Sequence, residues 1–133
     1  MNLLVVDDEP AVCTAIRLLL KKDGHAVTAC DTGAAALAIL ATSNVDLALI
    51  DLSLPMVDGV SVVAAARDLR PLVPIIVITG MLSTSSPNPA DHPEIGPLDR
   101  AYCLAKPFRP SELSRLVAIA LPGAARSVTA DFA

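Results

Sequence analysis

The stretch Leu3-Leu4-Val5-Val6-Asp7-Asp8-Glu9-Pro10 decides how the rest of the chain is read. An unbroken apolar run fits a strand buried on both faces of a parallel sheet, and this one stops abruptly in acid. Pro10 suits the first turn of a helix, and Val12, Ile16, Leu19 and Leu20 then recur at helical spacing until Gly24 ends it. Strand, acidic turn and helix form a unit that the chain repeats. His25 to Ala29 reads as a second strand, followed by an Ala-rich helix to about Thr42 that Asp31 or Thr32 can cap. Asp46 to Asp51 is the third strand, and turn residues around Pro55 and Gly59 lead into a helix over about Val60 to Leu69, closed by Arg70-Pro71. Ile75 to Ile78 is the fourth strand, ending at Thr79-Gly80, and a short fifth lies near Ala101 to Leu104. Leu113, Leu116, Val117, Ala120 and Leu121 mark a last helix. This alternation predicts an α/β fold, a doubly wound five-stranded parallel sheet with helices on both faces.

Composition bounds the function. The chain has 133 residues, 10 Lys+Arg against 14 Asp+Glu, and a net charge of −4, a length that suits one domain. With 53% hydrophobic and 18% charged residues, an intrinsically disordered chain is excluded. Lys21, Lys22, Asp46 and Asp51 break the richest apolar stretches below the ~18 residues of a membrane span, so no membrane insertion is expected. The start Met1-Asn2-Leu3 lacks a basic region and a cleavage site, which points to a cytoplasmic protein. The acid balance argues against direct nucleic-acid binding, and 2% aromatic content leaves no stacking platform for single strands. Cys13, Cys30 and Cys103 are widely spaced, with His25 and His92 distant from them, and read as apolar fillers rather than zinc ligands.

One segment breaks the rhythm. Residues 81–97 hold Pro87, Pro89, Pro93 and Pro97 without apolar periodicity, so an ordinary crossover helix there is shortened or replaced by a loop. Residues 122–133 show no helix pattern and read as a flexible tail, leaving 1–121 as the domain.

Ligands of such sheets sit at the carboxyl ends of the strands. Asp7 and Asp8 follow the first strand there, Asp51 ends the third, Thr79 ends the fourth and Lys106 follows the fifth. Three carboxylates brought together stay ionised at neutral pH only beside a cation, and oxygen-only ligands favour Mg²⁺ or a similar hard ion. A divalent ion, an ammonium and a hydroxyl around one carboxylate form a clamp for a phosphoryl group in transfer. Asp51 is then the natural nucleophile.

The runs Leu4-Val5-Val6-Asp7-Asp8-Glu9, Leu49 through Asp51 to Gly59, Ile78-Thr79-Gly80 and Ala105-Lys106-Pro107-Phe108 resemble, in order, the blocks of the receiver domain of two-component response regulators, the chemotaxis receiver among them. The resemblance covers about Asn2 to Leu121. It implies the flavodoxin-like strand order 2-1-3-4-5. It also implies that Asp51 accepts a phosphoryl group from a sensor histidine kinase or histidine phosphotransfer protein. Mg²⁺, or Mn²⁺, would be held by Asp8, Asp51 and the backbone carbonyl of Ser53, with Asp7 acting mostly through water. Thr79 would bind the phosphoryl oxygens, and Lys106, after a cis Lys106-Pro107 bond, would pair with the phosphoryl group or, before transfer, with Asp51. The implied protein is a single-domain phosphoacceptor rather than an enzyme, with self-phosphorylation and dephosphorylation its only chemistry, signalling in a phosphorelay by contact with an unknown output protein.

Two departures bear on this. The aromatic switch residue of the family, three positions before the lysine, is Cys103 here, and the neighbouring Tyr102 should point to the opposite face of its strand. The prolyl segment occupies the place of the family's fourth helix, part of its usual output surface. Alternative readings are a phosphorylation-independent interaction module, a receiver belonging to a longer regulator, and a flavodoxin-like nucleotide or flavin enzyme, the last disfavoured by the missing Gly-x-Gly-x-x-Gly turn and the scarcity of rings to sandwich a flavin. Arg17, Lys21 and Lys22 read as a solvated helix face that could instead help dock a kinase, His92 as a loop residue, and Met81 as a cover for the core edge or a gate for water.

Overall fold

The computed structural model describes residues 1–53, 59–80 and 101–121. Five strands, β1 (Asn2–Val6), β2 (Ala26–Cys30), β3 (Leu47–Asp51), β4 (Ile75–Thr79) and β5 (Tyr102–Ala105), form one sheet in the order β2-β1-β3-β4-β5. Every pairing is parallel. The described helices are α1 (Pro10–Lys22), α2 (Gly33–Thr42), α3 (Gly59–Leu69) and α4 (Pro110–Ala120). The expected doubly wound sheet and its strand order are both present. The prolyl segment and the C-terminal tail lie outside the described residues, as do Met81 and His92.

Alternating side chains split the core in two. Leu4, Val6, Ala48, Ile50, Ile75, Val77 and Cys103 face one way, onto Ala36 and Leu40 of α2 and Val62, Val63 and Ala66 of α3. Leu3, Val5, Leu47, Leu49, Ile76, Ile78 and Leu104 face the other, onto Ile16 and Leu20 of α1 and Leu113, Leu116 and Val117 of α4. The central strands β3 and β4 are buried along their whole length, as their unbroken apolar sequences require. Tyr102 packs with the α1/α4 side and Cys103 with the α2/α3 side, so the ring does not share the face of the residue that replaces the aromatic position.

Element ends differ from the sequence reading by a residue, for local reasons. His25 donates its N–H to the carbonyl of Leu20 and so still belongs to the turn that closes α1, where Gly24 takes a φ of 95° that suits glycine. β2 therefore starts at Ala26. Asp46 ties itself to the first residue of β1: its N–H meets the carbonyl of Asn2 at 2.7 Å, and its carboxylate accepts from the N–H of Asn2 at 2.7 Å. Of the two proposed caps of α2, Thr32 is the one used, its hydroxyl accepting from the N–H of Ala35 at 3.1 Å. At the start of α4 the N–H of Arg109 donates to Glu112 at 3.1 Å.

Arg70, just past α3, reaches over to the other end of α2. Its Nε donates to the carbonyl of Leu40 at 2.8 Å, and a terminal nitrogen donates to the carbonyl of Ser43 at 3.4 Å. It thus satisfies carbonyls that the end of a helix leaves open. Ser114 of α4 hydrogen-bonds Asp23 after α1 at 2.9 Å, joining the two helices of the opposite layer. No helix among the described residues is long and apolar enough to cross a membrane.

Candidate functional site

The polar residues picked out at strand ends meet at the carboxyl edge of the sheet. β1 and β3 are neighbours with Val6 opposite Ile50, so Asp7, just after β1, and Asp51, the last residue of β3, emerge side by side. Both are 1% exposed. Strand β4 sits on the far side of β3, with Thr79 buried at its end, and β5 brings Ala105 opposite Thr79. The next residue, Lys106, donates its backbone N–H to the carbonyl of Thr79 at 2.9 Å. Its peptide bond to Pro107 is cis.

From there the ammonium of Lys106 reaches back across two strands. Nζ lies 2.9 Å from Oδ2 of Asp51, 3.2 Å from Oδ2 of Asp7 and 3.2 Å from Oε1 of Glu9. One lysine therefore faces two buried carboxylates and an exposed one. The remaining oxygens are held by the backbone: Oδ1 of Asp7 accepts from the N–H of Glu9 and Oδ1 of Asp51 from the N–H of Ser53, each at 2.9 Å. The thiol of Cys13 donates to the carbonyl of Asp7 at 3.2 Å, and the N–H of Asp7 donates to the carbonyl of Cys30 at 3.1 Å.

Charge is out of balance here. Burial, and after it the charge of Asp51, pushes the carboxyl of Asp7 above its ordinary value, although the Glu9 N–H and Lys106 pull the other way. Burial also works against the charge on Lys106, but its hydrogen bond to Asp51 and its ion pairs with Asp51 and Asp7 outweigh that and hold the ammonium firmly protonated. Oδ2 of Asp7 is buried and, although 3.2 Å from the ammonium of Lys106, is not aligned as a hydrogen bond, so among the described residues it is an acceptor without a donor.

That unmatched oxygen is what a cation site needs. Asp7, Asp8, Glu9 and Asp51 each offer a carboxylate oxygen, all within 4.8 Å of one another, with Asp8 and Glu9 on the solvent side. A donor set made only of oxygens, open on one side to water, fits a hard divalent ion such as Mg²⁺. Of the residues singled out in the sequence, the structure gathers Asp7, Asp8, Asp51 and Lys106 into this group, places Thr79 at the adjoining strand end and leaves Ser53 on the rim. Glu9 joins the site as well, which the sequence reading does not anticipate. Its signal was present as the third acid of the turn, but only the fold shows that it reaches Lys106. Arg17 and Lys21 share a groove on the outer side of α1, and Lys22 does not line it.

The comparisons agree with this geometry. Residues 3–118 match the response regulator receiver domain family. The transcriptional regulatory protein DltR of Streptococcus agalactiae is 34% identical over 115 residues, 85% of this chain and 48% of its own length. The chain spans between 18% and 48% of the curated relatives it matches. Among solved structures, a CheY-like receiver domain protein from Methanospirillum hungatei superposes with a TM-score of 0.79 at 25% identity, covering 95% of this chain and 97% of that one. The response regulator TrrA of Thermotoga maritima, solved with Mg²⁺ and beryllofluoride, gives 0.75 at 26% identity, covering 90% and 98%. A doubly wound sheet in this order, an acidic group at its carboxyl edge and a lysine reaching into it are thus accompanied by a family match over most of the chain, and the protein belongs to the response regulator receiver domains of two-component systems.

Proposed function

We propose that Asp51 is the phosphoacceptor of this receiver, and that the phosphoryl group comes from a phosphohistidine on a sensor kinase or phosphotransfer protein. The observation that carries this reading is a carboxylate 1% exposed, paired to Lys106 at 2.9 Å, beside further carboxylates suited to a divalent cation. An oxygen of Asp51 attacks phosphorus while the bond to the histidine nitrogen breaks. The electron pair leaves with the imidazole, which takes up a proton, and an aspartyl phosphate remains. Asp7, Asp8, Asp51 and the carbonyl of Ser53 would hold Mg²⁺, or Mn²⁺, whose role is to offset charge on the phosphoryl oxygens. Before transfer Lys106 keeps Asp51 in place; afterwards its three N–H donors can turn to the added oxygens. Thr79, at the neighbouring strand end, supplies a hydroxyl on the same side.

In this reading residues 1–121 form the signalling unit, residues 122–133 lie outside it, and the protein works in the cytoplasm by contact with its kinase and an output protein. Its chemistry is limited to gaining and losing the phosphoryl group. Incubation with acetyl phosphate and Mg²⁺, read on a phosphate-affinity gel, should give a slower band for the wild type and none for Asp51→Asn. Labelling that survives Asp51→Asn removes the assignment.

One observation favours a second reading, an interaction module that does not depend on phosphorylation. Cys103 is 2% exposed within the α2/α3 core, and Tyr102 belongs to the other face. No ring on that face of β5 can follow the hydroxyl of Thr79. If Mg²⁺ with beryllofluoride binds without changing amide exchange in β4, β5 or α4, this second reading replaces the first.

A further inference from the structure

Away from the acidic edge, Arg17, Lys21 and His25 line a groove of about 340 Å³ between the outer side of α1 and the start of β2, walled also by Thr14, Leu18 and Val27. No carboxylate lines it, and among the described residues neither Arg17 nor Lys21 has an ion pair. In a chain of net charge −4 the lining of this groove is cationic, while Arg17 at its far end also borders the acidic cleft of Asp8 and Asp31. Leu18, 66% exposed, gives it an apolar shoulder.

The groove borders an open strand. Among the described residues β2 is the last strand on its side of the sheet. Ala26 donates its N–H to the carbonyl of Met1, and the carbonyl of Cys30 accepts from Asp7, so Ala26, Thr28 and Cys30 turn their backbone groups toward β1. Alternation turns the N–H and C=O of Val27 and Ala29 outward, with no strand beyond to receive them among the described residues. Exposed edges are usually protected by charge, proline or a bulge. The segment Ala26-Val27-Thr28-Ala29-Cys30 has neither charge nor proline, and its pairing with β1 runs without a bulge.

We propose that this edge docks an extended, acidic segment of a partner protein, which joins β2 as a sixth strand and sets alternate carboxylates against Arg17 and Lys21. Spacing supports the match. Residues four apart on a helix are separated by a rise of ~6 Å, and alternate residues of a strand by ~6.6 Å, so Asp or Glu at every second position meets both cations. Charge excludes the simplest competitor. A second copy paired edge to edge would bring two sets of the same cations together, whereas an acidic strand neutralises one set. Outward backbone groups supply affinity and the cations supply selectivity, the division of labour seen in strand addition.

Fluorescein-labelled nine-residue peptides with Glu at alternate positions, read by anisotropy against the whole protein, test this. The acidic peptide should bind, its affinity falling with salt, while a matched Lys peptide should not. Lys21→Glu, at an exposed position, should weaken binding about fivefold, and Arg17→Glu with Lys21→Glu by more than tenfold. Amide exchange at Val27 and Ala29 should slow on binding, and Ala29→Pro, which removes an outward N–H and leaves the bonds to β1, should abolish binding. Mg²⁺-dependent beryllofluoride uptake serves as the check that each variant is folded, and it reports on the phosphoacceptor reading separately. Three results overturn the proposal: no binding at 1 mM peptide, equal binding of acidic and Lys peptides, or acidic binding without protection at Val27 and Ala29, which would mean loose ionic contact only.

Discussion

Replacing Asp7 by Asn should stabilise the protein in the absence of divalent ions and abolish the further stabilisation that those ions provide. Asp7 and Asp51 offer oxygens within 4.8 Å of each other, and at an effective dielectric near 20 that repulsion is at least ~3.5 kcal/mol. Lys106 at 3.2 Å returns ~5 kcal/mol of attraction on the same scale. The two nearly balance once Asp8 and Glu9 add their own repulsion, so the cost of burying the ion, several kcal/mol in protein interiors, decides the sign. Asn keeps an oxygen for the N–H of Glu9 and leaves Lys106 with Asp51, one charge against one. A net gain of about 1 to 2 kcal/mol follows, or about 3 to 7 °C in Tm for a chain of this size. The pH dependence has the same origin. Because the carboxyl of Asp7 is raised on folding, the native state binds the proton more tightly than the unfolded chain. The penalty is therefore full above the raised value, shrinks as pH falls through it and vanishes below the ordinary value of 3.8. Urea melts in EDTA at pH 7 and pH 5 should show the variant ahead by less at pH 5. With Mg²⁺ at ten times its Kd the wild type should gain ~1.4 kcal/mol and the variant almost nothing. A variant less stable than wild type in EDTA would refute the argument, since it would make Asp7 a net stabilising partner of Lys106.

Lys106→Met should have the opposite sign, because it leaves Asp51 and Asp7 buried without a cation; a loss of about 3 kcal/mol in EDTA, partly restored by Mg²⁺, is expected in urea melts. Equal loss with and without Mg²⁺ would mean that the lysine acts by packing. Arg70→Ala removes the donors to Leu40 and Ser43 and should cost about 1 kcal/mol in the same assay, with Arg70→Lys recovering only part of it because a single ammonium does not match two carbonyls.

Much of this was legible in the chain because two periods dominate it. Uninterrupted runs such as Leu47 to Ile50 can only be strands covered on both faces, and each was followed by the residue that reaches the site. Boundaries were less legible, since whether His25 starts a strand or finishes a turn depends on its N–H finding Leu20. Thr32 and Asp31 were equivalent caps on composition, and only backbone geometry chose between them. Within the site, Asp7, Asp8, Asp51, Thr79 and Lys106 stood at strand ends and could be collected by topology alone. Glu9 could not, because its part comes from the reach of a lysine 97 positions away. The groove beside β2 is half visible: the cations of α1 stand out in the chain, but the sequence does not say which of them overhang the sheet edge.

The bond between Arg70 and the end of α2 also sets how this side of the molecule comes apart. α2 is Gly-Ala-Ala-Ala-Leu-Ala-Ile-Leu-Ala-Thr, with no charged residue to answer its own helix dipole, and ten residues are too few to hold a helix alone in water. The cation at its C-terminal end is lent by the residue after α3, and the side chains beneath it, Ala36 and Leu40, share a core with Val62, Val63 and Ala66 of that same helix. Neither helix can leave the sheet and keep its partner's termini and underside satisfied. The two therefore behave as one foldon: local openings of this layer are joint events, and slow exchange in α2 is inherited from α3 rather than intrinsic to its alanines.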